Sequence, residues 1–298
     1  MKALLFPGQG VQKVGMLDSL FEEVSEVKSI VDDVSESLDF DLEDLLRNGP
    51  EEKINLTEFS QPTILVTSVL SAKYSKKISN IDITAGLSLG EYSALVYSNC
   101  LRLSDAVKLV NYRGRLMQES VPEGTAGMLV VLNMPIHDVY KMIDDINETD
   151  ETINFSTDNA DGVSVLAGKN SAIEACKNYI AGGEFRRVKT QMVQMSVPSH
   201  CYLLDEAQEE LAKLLNEVEF KSPSIPIIPN VLASPTSDIE TIKDSLINQL
   251  TRTVRWRETL DYLLKNNLSI LIDSGPGKTI INMARKIKEI EKISLEED

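Results

Sequence analysis

Histidine is scarce in this chain: among its 298 residues only His137 and His200 occur. Cysteine is nearly as scarce. Cys100, Cys176 and Cys201 are too few for a disulfide framework and lack the spacing of a metal site, so they read as small buried hydrophobes in a reducing cytoplasm. No apolar run is long enough to span a membrane, since the longest apolar-leaning stretch, Pro62 to Ala72, contains Thr and Ser. The apolar start, Ala3 to Phe6, is broken at once by Pro7 and Gly8, so no secretory signal is expected. Basic charge is short as well. With 30 Lys and Arg against 46 Asp and Glu the net charge is −16. Such a field repels nucleic acid and anionic membranes, which excludes both as partners. Much of the acid falls in patches that read as solvated surface: Asp144 to Glu151, Glu206 to Glu219, and the tail Glu289 to Asp298. Repeats and low-complexity linkers are missing too.

What is present reads as α/β. Ala3 to Phe6 is a buried strand ending in the turn Pro7-Gly8-Gln9-Gly10. Helical patterns follow over Met16 to Leu38 (interrupted), Leu42 to Leu46, and Thr57 to Tyr74, where Thr57 can cap the first turn. A strand at residues 81–85 precedes a further turn. Ser104 then caps a helix to about Glu119 with Ala106, Leu109, Val110 and Leu116 inward. From Gly124 to Thr190 the character changes to a β-α-β-β-α-β-like plan. Its strands are read at Met128–Leu132, Val163–Ala167 and Phe185–Lys189, and its helices at Pro135–Ile146 and Ser171–Ile180. We expect a small inserted domain at 124–190 within a core of 1–123 and 191–298. In the second half, helices alternate with strands Ile225–Ile228 and Leu268–Ile272, the pattern of a parallel sheet.

The chemistry starts at Gly86-Leu87-Ser88-Leu89-Gly90. A strand that reverses sharply into a helix needs glycine at both flanks, and the serine between them sits at the apex with its hydroxyl projecting. The N–H groups after it open a helix, where they lack internal partners and carry the positive dipole end. A serine hydroxyl still needs a base. His137, in the polar turn Pro135-Ile136-His137-Asp138, reads as a surface residue. His200, in Val197-Pro198-Ser199-His200-Cys201, opens a helix after an extended segment and is the candidate; Cys201 beside it is a packing residue.

Six motifs stand in order: Phe6-Pro7-Gly8-Gln9-Gly10, Gly86-Leu87-Ser88-Leu89-Gly90-Glu91-Tyr92, Arg113-Gly114, Val121-Pro122-Glu123-Gly124, Ser196-Val197-Pro198-Ser199-His200-Cys201 and Gly275-Pro276-Gly277. Together they resemble the malonyl-CoA:acyl-carrier-protein transacylases over essentially the whole chain. The resemblance implies an α/β-hydrolase-like core with a parallel sheet, interrupted by a small ferredoxin-like α+β domain. It implies Ser88 as nucleophile, His200 as base, and the main-chain carbonyl of Gln249 as the group orienting His200. The N–H groups of Gln9 and Leu89 are then the oxyanion donors, a role the physics also suits: Leu89 follows the nucleophile, and glycines beside Gln9 allow close approach. Arg113 is the residue that grips a free carboxylate with two parallel hydrogen bonds. Gln61 and, from the small domain, Asn159 line the pocket. The substrates are malonyl-CoA and the phosphopantetheine arm of acyl carrier protein; no cofactor or metal is expected, and the chain is expected to be a cytoplasmic monomer.

Two features depart from the family pattern: Leu87 stands where histidine is usual, and the loop at 156–162 lacks its usual proline. Because a carrier protein is normally acidic, docking on a chain at −16 calls for a local basic patch. Arg186, Arg187 and Lys189, or Lys278, Arg285, Lys286 and Lys288, are the candidates. The other readings are an acyl hydrolase on a related core, against which Arg113 argues, and a non-catalytic scaffold binding carrier protein or coenzyme A. The pathway, fatty-acid or polyketide, stays open.

Overall fold

The computed structural model describes residues 1–193, 195 and 197–296; Ser196 of the His200 motif and Glu297 and Asp298 of the acidic tail lie outside the described residues. In chain order, β1 (Lys2–Phe6) leads to α1 (Asp18–Glu23), α2 (Ser25–Ser35), α3 (Leu42–Asn48), α4 (Glu51–Ile54) and α5 (Thr57–Tyr74). Next come β2 (Ile83–Gly86), α6 (Gly90–Tyr97) and α7 (Leu103–Ser120). The middle of the chain forms β3 (Ala126–Leu132), α8 (Ile136–Asn147), β4 (Ile153–Ala160), β5 (Val163–Lys169), α9 (Asn170–Gly182) and β6 (Lys189–Met192). It returns through α10 (Asp205–Glu217), β7 (Ile227–Ile228), α11 (Ile239–Gln249), α12 (Trp256–Lys265), β8 (Ile270–Asp273), α13 (Thr279–Met283) and β9 (Glu291–Ser294).

The strands make two sheets. One is wholly parallel, in the order β7-β2-β1-β8-β9. A parallel sheet is covered on both faces, so its strands are apolar on both. Alternate residues of β1 accordingly enter different cores: Ala3 and Leu5 pack with Trp256 and Leu271, while Leu4 and Phe6 pack with Ala94 and Leu295. The other sheet, β4-β5-β3-β6, is antiparallel and buries one face under α8 and α9 through Val139, Met142, Ile173 and Cys176. Among the described residues no helix is long and apolar enough to cross a membrane.

Several local expectations are corrected. The strand expected at Phe185–Lys189 is β6, the fourth of the second sheet, and it starts at Lys189 because Phe185 stacks on Tyr179 and the intervening chain turns, with the Val188 N–H donating to the Phe185 carbonyl. β4 escaped notice because its polar residues are themselves buried: Ser156 donates to the Ser199 carbonyl and Asp158 pairs with Arg257. The described part of the acidic tail also carries structure: Glu289 and Glu291 are exposed as expected, but Glu291–Ser294 pairs with β8 and Leu295 is buried. Neither Thr57 nor Ser104 caps a helix; the caps are Leu56 and Arg102, and Thr57 is buried.

Candidate active site

β1 and β2 run in register to Phe6 and Gly86, so the turns that leave them meet. The Leu87 N–H donates to the Phe6 carbonyl at 2.9 Å. A Cβ on Gly86 would lie 1.9 Å from the Gly90 carbonyl, and one on Gly90 would lie 2.3 Å from the Phe6 oxygen, so both flanks of the elbow must be glycine. Ser88 at the apex has a left-handed backbone, φ 52°, a conformation that costs a non-glycine residue on the order of 1–3 kcal/mol. Side chains from distant segments hold it there. Asn230, after β7, accepts from the Ser88 N–H at 2.7 Å and donates to the Gly86 carbonyl at 2.6 Å. Gln249, at the end of α11, donates through Nε2 to the Ser88 carbonyl at 3.0 Å. Leu87, the departure from pattern, packs on the core around Trp256.

His200 faces this turn. Its Nδ1 lies 2.6 Å from the main-chain oxygen of Gln249 and its Nε2 lies 2.8 Å from Ser88 Oγ. A carbonyl can only accept, so the ring proton is on Nδ1 and the Nε2 lone pair meets the serine hydroxyl. His200 is itself left-handed, φ 58°, and buried. Burial, and secondarily the charge of Arg113, push its pKa down to about 3 against the opposing pull of the Gln249 carbonyl. His137, by contrast, is exposed on α8.

Arg113 reaches the site because α7 lies unusually close to α5. A Cβ on Gly114 would fall 2.5 Å from the Thr57 oxygen and 2.7 Å from Glu58 Cα. Pro62 within α5 leaves the Glu58 carbonyl without its helical donor, and Asn111 of α7 supplies one at 3.0 Å. The guanidinium, 1% exposed, then donates to Gln61 Oε1 at 2.7 Å, Gln249 Oε1 at 3.2 Å and Ser88 Oγ at 3.3 Å. Those acceptors are two amides and a hydroxyl. Among the described residues no carboxylate pairs with Arg113 and its Nε has no partner. Burial lowers its pKa from the ordinary value, yet a guanidinium remains a cation.

Gln9 lies in the turn that leaves β1 and Leu89 in the turn that leaves β2. The Gln9 side chain pins its loop to α5 by donating to Ser60 Oγ at 2.8 Å and Thr57 Oγ1 at 3.3 Å. A Cβ on Gly8 would meet the Leu87 oxygen at 2.8 Å, so this loop lies against the elbow. Among the described residues neither the Gln9 nor the Leu89 N–H has an acceptor. Asn159, at the end of β4, makes no hydrogen bond to any of these residues, and its buried Oδ1 has no partner among the described residues. Of the basic docking candidates all seven are exposed, and Arg285, Lys286 and Lys288 lie beyond α13 rather than on it.

Two residues of the site escaped the sequence reading. Asn230 sits in a loop with no pattern. Glu91 does leave a trace, as the one acid in a stretch of α6 buried from Gly90 to Val96. Its Oε2 accepts from the Asn230 N–H at 3.0 Å and Gln249 Nε2 at 2.8 Å. Burial, opposed by those bonds, pushes its carboxyl up to about 7.

Comparison with known proteins gives a consistent likeness. Residues 3–288 match the acyl transferase domain. The chain is 36% identical over 291 residues to the malonyl CoA-acyl carrier protein transacylase of Haemophilus influenzae, covering 96% of this chain and 91% of that protein. It is 33% identical over 286 residues to the Bacillus subtilis protein of the same name, covering 96% and 90%. The crystal structure of an acyl carrier protein S-malonyltransferase from Vibrio cholerae superposes with TM-score 0.92 at 37% identity, covering 98% of this chain and 95% of that one. The structure of a type II PKS acyl-carrier protein in complex with its malonyl-transacylase matches with TM-score 0.91 at 32% identity, covering 98% and 94%.

Proposed function

This chain belongs to the malonyl CoA-acyl carrier protein transacylase family of acyl transferases, and on that premise we propose that it carries malonyl from coenzyme A to a carrier protein's phosphopantetheine thiol through an ester on Ser88. The observation that carries the reading is Arg113. A buried guanidinium 3.3 Å from Ser88 Oγ, paired with no carboxylate among the described residues, suits an anion at the far end of a short acyl group. Malonyl has that carboxylate; acetyl and long acyl chains do not. An esterase has no use for such a cation.

In the first half-reaction Ser88 Oγ attacks the thioester carbon while His200 Nε2 takes the hydroxyl proton. The Gln249 carbonyl, accepting from Nδ1–H, steadies the imidazolium that results. The carbonyl oxygen gains charge and meets the unpaired N–H groups of Gln9 and Leu89. The C–S bond breaks, and His200 returns the proton to the leaving coenzyme A thiolate. In the second half His200 takes the proton of the incoming pantetheine thiol, sulfur attacks the ester, and Ser88 leaves with the proton restored. A carboxylate on Arg113 also offsets the charge that depresses His200, so the correct substrate strengthens its own base. Gln61 steadies Arg113 from the α5 side, and Asn159 borders the pocket from β4.

Incubation with radiolabelled malonyl-CoA or acetyl-CoA, with and without carrier protein, tests the scheme. Label should reach the enzyme, then the carrier. Ser88→Ala should take no label, and Arg113→Ala should lose malonyl transfer by about 10²–10³-fold while losing little acetyl transfer. Free malonate as the main product, or unchanged selectivity in Arg113→Ala, would sink the reading.

A further inference from the structure

Glu91 touches no reacting atom in the scheme above, yet its Oε2 receives two buried donors from distant segments: the Asn230 N–H and Gln249 Nε2. Those two residues in turn hold the reacting groups. Asn230 brackets the elbow between the Gly86 carbonyl and the Ser88 N–H. Gln249 donates to the Ser88 carbonyl, accepts from Arg113 through Oε1, and offers its main-chain oxygen to His200. An amide can be placed either way round, and three partners agree on this one: the Ser88 carbonyl and Glu91 Oε2 take its NH2 end and Arg113 its oxygen, with Glu91 making the shortest of the three bonds at 2.8 Å. An acceptor-only carboxylate oxygen demands the NH2 end, which leaves the amide oxygen facing Arg113.

We propose that Glu91 is a positioning residue for the transfer: through the Gln249 amide and Asn230 it sets the Ser88–His200 alignment and the aim of Arg113 together. This rests on the functional reading above. Without the acceptor, the Asn230 N–H and one N–H of the Gln249 amide lose their partner while buried, and only the bonds to Ser88 and Arg113 still hold the amide. Rotation of the amide relieves that only by giving up its bonds to Ser88 and Arg113.

The test compares Glu91→Gln with Glu91→Ala. A glutamine oxygen can accept both bonds, so Glu91→Gln should stay near wild type. Glu91→Ala should slow modification of Ser88 by a fluorophosphonate by about 10²-fold and narrow the malonyl-to-acetyl ratio of kcat/KM by about 10-fold. The fluorophosphonate reads the Ser88–His200 pair without any malonyl group, and the ratio reads Arg113. Ile173→Ala, a cavity in the core of the second sheet, should lower Tm and move neither. A folded Glu91→Ala protein with wild-type values, or Glu91→Gln as impaired as Glu91→Ala, overturns the proposal. Should Glu91→Ala fail to fold, Gln249→Met decides: it keeps the main-chain oxygen but discards the amide, so slower labelling with a narrowed ratio supports the proposal and wild-type values overturn it. If the wild-type chain reacts with the fluorophosphonate but takes no malonyl label, the functional reading falls while the fluorophosphonate rates still judge Glu91.

Discussion

Gly114→Ala should damage malonyl transfer although a Cβ at residue 114 would meet the backbone of α5 and no atom of Ser88. The added Cβ would sit 2.5 Å from the Thr57 oxygen and 2.7 Å from Glu58 Cα, and both neighbours are backbone, which cannot swing aside. Ordinary contact begins near 3.4 Å, so α7 has to move off α5 by roughly 0.5–0.9 Å. Alanine is the better helix former by about 1 kcal/mol, but overpacking against rigid backbone costs about 1–3 kcal/mol. The clash wins by a modest margin, and Tm should fall by a few degrees. Activity should fall further. The same shift can stretch the 2.7 Å bond from Arg113 to Gln61 to roughly 3.2–3.6 Å, at the edge of hydrogen-bonding range, and strains the bond from Asn111 to Glu58. A misplacement near 1 Å can cost about 10²-fold in rate, so malonyl kcat/KM should drop by about 10–10²-fold. Acetyl transfer, which has no carboxylate to place, should drop much less. Thermal unfolding and steady-state kinetics with both thioesters measure this. Unchanged Tm together with unchanged malonyl kcat/KM would show that α7 yields freely, and the account of Arg113's placement would be wrong.

Two further outcomes are expected. With His200 held at about 3, its base form persists on acidification, so fluorophosphonate labelling of Ser88 should change little from pH 8 to 5. A histidine at its ordinary 6.5 would lose about 30-fold over that range, and a midpoint near 6.5 would refute the depression. The linkage has a definite sign: the unfolded chain binds this proton between 6.5 and about 3 while the folded one does not, so His200's stability contribution is lost as pH falls through that window. Separately, reversing Arg285 and Lys286 to Glu should raise KM for the carrier protein but not for malonyl-CoA; equal effects on both would move the docking face elsewhere.

Legibility in the sequence followed the kind of constraint involved. The elbow was readable because close backbone approach at Gly86 and Gly90 permits only glycine. His200 was readable because histidine is so scarce. The fold class followed from alternating helices and apolar strands, but β4 did not, since its inward polar side chains meet their partners, the Ser199 carbonyl and Arg257, only in three dimensions. β9 was masked by its acidic neighbours. Asn230 and the side chain of Gln249 act through contacts 142 and 161 residues from Ser88, which no local pattern encodes. Arg113 was found by its resemblance, while the reason for Gly114 beside it emerged only from the approach of α7 to α5.

Both members of the reacting pair, Ser88 and His200, occupy backbone conformations that glycine would adopt at lower cost. A search for hardier variants by heat alone would therefore tend to enrich replacements at these two positions, and would discard chemistry in exchange for melting temperature. Durability and turnover pull in opposite directions at the elbow. Residues far from it, in the second sheet or along α2 and α10, are where robustness can be improved without that conflict.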